Sequence, residues 1–179
     1  NTVRDALVAG IHFDVFHRHA ARLRMANIAQ TLNVLQAMIL TDDDGGLVLT
    51  PTYHVYEMNV GHHDALSVPA HVVSAPRVGV DGADLPALSL SASMKDGAVL
   101  VSLTHVGVDD ALPVEIDLRG RNARVVRARV LTGPDAAAHN TPQAPDTVRP
   151  VPLEATVEAG VLRVDLPPHA FATVELALD

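Results

Sequence analysis

The spacing of apolar positions changes once along this chain, near Leu66, and divides it into two kinds of predicted structure. In residues 2–20, Val3, Leu7, Ile11 and Val15 recur at helical spacing and Phe13 and Phe16 widen the apolar face. Thr2, with Asp5 three residues later, has the form of a capping box. A helix this apolar is normally covered on more than one side. Residues 23–30, LRMANIAQ, are short, mostly apolar and not strictly alternating, the pattern of a parallel strand buried on both faces. Residues 31–50 read as a long connection containing LNVLQAMIL and the turn-forming Asp42-Asp43-Asp44-Gly45-Gly46, a length that suggests a functional loop. Thr50 and Pro51 then open a second helix, expected to run through YHVYEMNVGHH to about Asp64.

Beyond Leu66 the period shortens to two. HVVSAPRVGV, ALSLSAS, AVLVSLTHV, LPVEIDLRG, ARVVRARVLTG, GVLRVDLPP and FATVELALD are separated by Gly, Pro and Asp, and predict about seven strands of an antiparallel sandwich or barrel. Val101 and Leu103 alternate with Ser102 and Thr104, which gives that strand one dry and one wet face. Residues 133–152, with His139-Asn140-Thr141-Pro142 and Pro145-Asp146, read as a surface loop.

Composition narrows the picture. At 179 residues the chain can bury one substantial core, and its 48% apolar share is carried by Ala, Val and Leu with three Phe, two Tyr and no Trp, so that core is aliphatic. A formal charge of −8, with Lys95 the only lysine, excludes a nucleic-acid surface. The absence of cysteine removes disulfides and thiolate metal sites and fits a reducing compartment, with a secreted protein that lacks cysteines as the open alternative. No apolar run approaches the roughly 18 to 20 residues of a membrane span, so no membrane partner is expected. The first residues carry neither a basic leader region nor an initiator Met, and the start reads as internal.

DALVAGIHFDVFHRHAARLRMANIAQTLNVLQAMILT, followed by VLTPTYHVYEMNVGHHDA, resembles the end of the catalytic barrel of family 51 α-L-arabinofuranosidases. RVLTGPDAAAHNTPQAPDTVRPV and VLRVDLPPHAFATVELAL resemble the C-terminal sheet domain of the same family, although Pro142 and Gln143 stand where the family usually has an aromatic and an acidic residue. The resemblance implies that residues 1–66 are the last helix, strand and helix of a (β/α)₈ barrel, and that residues 67–179 form a jelly-roll-like antiparallel β-sandwich. It implies a parent enzyme that removes terminal α-L-arabinofuranosyl groups from arabinan, arabinoxylan or derived oligosaccharides with retention. That parent would need no metal or organic cofactor, and would be cytoplasmic and homo-oligomeric, often hexameric.

Retaining glycoside hydrolysis uses two carboxyl groups about 5 to 5.5 Å apart. In the family both are glutamates upstream of the segment represented here, so no catalytic residue is expected in this chain. Glu57, Glu115, Glu154, Glu158 and Glu175 each read as solvated surface carboxylates. The resemblance places Gln30, at the end of the barrel's last strand, against the arabinofuranose ring, a task suited to an amide because it both donates and accepts. Asn27 has opposite strand parity and ranks below it; Asn33 and Gln36 follow on the loop and could line the same mouth. On the residues alone, Gln30 reads more readily as a strand-end polar group bonded to loop backbone. His17 and His19, two apart on a helix, point in different directions, and His62 and His63 in a last helical turn suit the helix dipole better than a metal. The alternative, a carbohydrate-binding or structural sandwich acting alone, is disfavoured by strands whose only aromatic is Phe171.

Overall fold

The computed structural model describes residues 1–80 and 83–179. Helix α1 spans Val3–Arg18. The Asp5 carboxylate accepts from the Thr2 N–H at 2.7 Å and from its hydroxyl at 3.0 Å. The N–H groups of Val3 and Arg4 donate to the carbonyls of Ala138 and Ala136, so the free donors of the first turn find partners on the 133–152 segment. At the other end Ser67 donates its hydroxyl to the His17 carbonyl. Helix α2, Pro51–Met58, starts at Thr50, whose hydroxyl accepts from the Tyr53 N–H, with Pro51 in the first turn. It ends earlier than the expected Asp64: Asn59 turns its amide back onto the Val55 carbonyl, and a 3₁₀ turn, Val60–His62, follows.

Residues 23–30 are not a strand here. They form no ladder and are exposed apart from the half-buried Ile28. A strand's hydrogen bonds are made with its neighbours, and no described strand lies beside this segment. The connection over residues 31–50 is more ordered than its composition suggests. It holds an antiparallel hairpin of β1 (Ile39–Thr41) and β2 (Leu47–Leu49), closed by the Asp42 carboxylate, which accepts from the N–H groups of Asp44 and Gly46.

The remaining strands are β3 (Leu66–Val68), β4 (Arg77–Val78), β5 (Leu85–Pro86), β6 (Leu88–Lys95), β7 (Ala98–His105), β8 (Leu112–Asp117), β9 (Ala123–Leu131), β10 (Val151–Pro152), β11 (Ala155–Glu158), β12 (Val161–Leu166) and β13 (Ala170–Leu178). The main sheet has the order β10-β9-β13-β7-β6-β3 and faces a smaller sheet, β11-β12-β8, with every pairing antiparallel. Six of the alternating segments are strands as expected. HVVSAPRVGV is the exception: only Arg77–Val78 pairs, and Val73 is fully exposed, because Pro69 and Pro76 remove ladder donors around it. β3, β10 and β11 are too short or too irregular in pattern to stand out in the sequence. The 133–152 segment is partly buried where a surface loop was expected. The Asn140 amide donates to the carbonyls of Leu49 and Val148 and accepts from the Val148 N–H, which holds Val148 wholly inside.

Two apolar clusters hold the layers together. Between the sheets lie Leu90, Val101, Leu103, Leu162, Val164, Leu166, Val174 and Leu176. Between the helices and the outer face of the main sheet lie Val3, Ala6, Leu7, Val55, Met58, Leu131 and Phe171. Pairing register arranges that outer face in rows. Ser89, Thr104, Phe171 and Leu131 form one, Ser91, Ser102, Thr173 and Arg129 the next, and Ser93, Leu100, Glu175 and Arg127 the third. The face that looked wet in sequence is therefore the one α1 and α2 lie on, and it offers them hydroxyls as well as apolar surface.

Contact there is close. A Cβ at Gly10 would lie 2.7 Å from the Thr104 hydroxyl and 2.8 Å from the Phe171 ring. Gly10→Ala gains about 1 kcal/mol of helix propensity, yet it is expected to destabilise the chain by about 1–3 kcal/mol through overpacking, read as a lower urea midpoint. A midpoint at or above that of the parent chain would show that α1 does not depend on this approach.

Candidate functional site

Gln30, Asn33 and Gln36 come together on one short loop supported by the β1–β2 hairpin. The Gln30 carbonyl accepts from the Met38 N–H at 3.1 Å, and Leu32 makes a parallel bridge with Ile39. Asn33 has φ of 50° and spends its side chain on closing the loop: its amide donates to the Thr41 hydroxyl at 2.7 Å and its carbonyl accepts from the Thr41 N–H at 2.8 Å. Gln36 has φ of 59°, and its backbone carbonyl, with that of Ala37, accepts from the Asn1 amide. Asn1 also reaches the Thr50 hydroxyl, so the starts of both helices and this loop are tied to one residue. The side chains of Gln30 and Gln36 are exposed, as is Asn27 farther back along the chain. Around them Met25, Leu32, Val34 and Leu35 are exposed apolar side chains. An open groove of about 730 Å³ lies elsewhere, between α1, β6 and the 67–72 segment, and none of these four residues lines it.

The chain's most concentrated polar chemistry is at another place, where α1 and the 3₁₀ turn meet the main sheet. Asp14 is fully buried. It accepts from Ser91 at 2.9 Å and from Thr104 at 3.3 Å. Since Ser91 gives its proton to Asp14, it accepts from His17, whose Nδ1 lies 2.9 Å away and must carry the hydrogen. His62, 8% exposed, bridges two strands: Nδ1 is 2.7 Å from Ser93 and Nε2 is 2.7 Å from Ser102. Ser102 donates to the side-chain amide oxygen Oδ1 of Asn59, which makes His62 Nε2 the donor and Nδ1 the acceptor from Ser93. The two imidazoles stack with centroids 4.2 Å apart.

Burial pushes the Asp14 carboxyl up to about 6, against the hydrogen bonds of Ser89, Ser91 and Thr104 and the nearby Arg18 charge, which favour its ionised form. Burial lowers His17 to about 4, helped by His63, and lowers His62 to about 3, helped by His17 and His63. At neutral pH the cluster therefore holds one carboxylate and two neutral rings. The ordinary dipole role expected of His62 gives way to this one. In the sequence, Val3, Leu7, Gly10, Asp14 and His17 share one helical stripe, and Ser89, Ser91 and Ser93 alternate on one strand face; together those two patterns are the signal for the cluster.

Three of the four ring nitrogens of His17 and His62 are engaged by serine hydroxyls, and among the described residues no group of three or more His, Cys, Asp or Glu is placed to hold a metal ion. The glutamates are dispersed. Glu57 is half-buried, unlike the solvated carboxylate expected, with both oxygens within 3.1 Å of Arg129. Glu115 and Glu158 flank Arg163, and Glu154 is exposed.

Comparison with known proteins agrees with this architecture. An intracellular exo-α-L-arabinofuranosidase from Bacteroides ovatus is 40% identical over 98% of this chain and 34% of its own length. The crystal structure of a GH51 arabinofuranosidase from Xanthomonas axonopodis pv. citri is 42% identical, with a TM-score of 0.92 over 98% of this chain and 36% of that one. An α-L-arabinofuranosidase from Thermotoga maritima, in an arabinose complex, is 26% identical with a TM-score of 0.84, covering 99% of this chain and 39% of that one. This chain thus spans about a third of the length of the relatives it matches. Residues 1–170 match the model described as the α-L-arabinofuranosidase C-terminal domain, and the chain belongs to that family.

Proposed function

We propose that this chain serves as the C-terminal portion of an exo-acting, retaining α-L-arabinofuranosidase that removes terminal arabinofuranosyl groups from arabinan, arabinoxylan and their oligosaccharides. The observation that carries the reading is 40% identity across 98% of the chain to a relative named for exo-α-L-arabinofuranosidase activity. Two carboxyl groups facing one cleft are the minimum for the chemistry. Here Glu57 is held by Arg129, Glu115 and Glu158 flank Arg163, and Glu175 stands in register with Arg127 on the neighbouring strand. The acid and the nucleophile are accordingly assigned to polypeptide outside this chain.

In this reading residues 1–66 close a (β/α)₈ barrel, with residues 23–30 as its last strand. Exposure of Met25 within that segment, and of Leu32, Val34 and Leu35 just after it, supports this, since such a strand finds its ladder in neighbouring strands and its cover in the layers on either face. Gln30 would hydrogen-bond the arabinofuranose hydroxyls, Asn27 and Gln36 would lie at the rim, and Asn33 would hold the loop in shape. The whole protein is proposed to be cytoplasmic, homo-oligomeric and free of metal or organic cofactor.

Incubating the purified chain with an aryl α-L-arabinofuranoside is expected to release no aglycone above the buffer rate; sustained turnover would overturn the assignment of the catalytic carboxyls. In a longer protein carrying this chain, Gln30→Ala is expected to lower kcat/KM for the same substrate by about 10- to 100-fold, one to two charge-free hydrogen bonds' worth. An unchanged kcat/KM would remove Gln30 from the pocket while leaving the family assignment intact.

A further inference from the structure

The geometry points to the His17–His62 stack as an acid-sensitive latch, which holds the helical layer on the main sheet at neutral pH and releases it when the rings take up protons. Both rings belong to the helical side, His17 to α1 and His62 to the 3₁₀ turn, and both are anchored to hydroxyls of β6 and β7. Their centroids are only 4.2 Å apart, so a charge on one ring stands against the other in a site with little water.

The charged groups around the stack do not relieve that charge. From α1 come Asp14 and Arg18, and from beyond the turn His63. β6 and β7 present Ser91, Ser93 and Ser102, and farther along β6 the Lys95 ammonium is bound to the His63 carbonyl. Glu175 and Arg127 stand opposite each other in the next row, and Glu57 of α2 is held by Arg129. Among the described residues, Asp14 is the one anion linked to the rings, through Ser91. Because burial raises its carboxyl to about 6, it loses its charge before the rings, lowered to about 4 and about 3, gain theirs, and so does not offset them.

The signs follow by linkage. His17 and His62, lowered from 6.5 to about 4 and about 3, bind fewer protons folded than unfolded, so their contribution is complete above about pH 7 and is lost as pH falls. Asp14, raised from 3.8, binds more protons folded and works in the opposite direction between about pH 4 and 6. His54 on α2, also lowered by burial, adds to the histidine effect from outside the stack.

The test is the pH dependence of the urea midpoint of the chain between pH 7 and 5, which gives the protons taken up on unfolding. Stability is expected to fall with pH. At pH 5, His62→Gln should lower the uptake by about one proton and Asp14→Asn should raise it by about one. Amide exchange at pH 5 should rise in α1 before β7 and β13. NMR titration of the unsubstituted chain decides the matter even where a variant does not fold: the rings of His17 and His62 should remain neutral in the folded form through pH 5. Either ring titrating near 6.5 with α1 still docked, or a stability slope that His62→Gln leaves intact, would overturn the latch.

Discussion

A buried carboxylate on an otherwise apolar helix face constrains everything around it. Asp14 is wholly enclosed, and an ionised carboxyl without donors would be expelled or neutralised at a penalty of several kcal/mol. The main sheet answers with Ser91 and Thr104, on adjacent strands and on the face that α1 crosses. Once those two hydroxyls are committed, the position of α1 on the sheet is set in two directions, and Gly10, one turn earlier, must lack a side chain for the helix to come close enough. The hydrogen-bond chain then continues through Ser91 to His17, while His62, stacked on that ring, reaches Ser93 and Ser102.

That arrangement separates two kinds of interface within one chain. Between the sheets the contact is aliphatic and permissive, Leu against Val, with many substitutions of like volume able to fill it. Between helices and sheet an apolar part around Phe171, Val55 and Leu7 supplies burial, and the polar rows beside it supply uniqueness of placement. Net stabilisation from each hydrogen bond to the carboxylate is modest, about 1.5–3 kcal/mol, but the penalty for misplacing the helix is larger because several groups would lose partners together.

Much of this was legible in the sequence. The Thr2–Asp5 cap, the Pro51 helix start, and the alternation of ALSLSAS, AVLVSLTHV and FATVELALD each correspond to a local rule that tertiary structure did not override. Local pattern decides less where the deciding partner is distant. Residues 23–30 have the composition of a buried strand but no ladder, since pairing depends on neighbours and not on the segment itself. HVVSAPRVGV alternates in part, yet its prolines withhold donors. The Asp14 cluster was missed because Ser91 and Thr104 lie 77 and 90 residues away, and wet-face alternation was read as contact with solvent instead of with a second layer. Of the proposed sugar contacts, Gln30 is exposed, whereas Asn33 is occupied with Thr41, a distinction that spacing alone does not carry.

Native-state amide hydrogen exchange at pH 7 tests most directly whether the polar seam fixes the helical layer to the sheet. The slowly exchanging amides of α1 are expected to open with the same free energy and the same urea dependence as those of β7 and β13, as one cooperative unit. Opening of α1 by a separate, lower-energy step while the sheet stays closed would contradict the account.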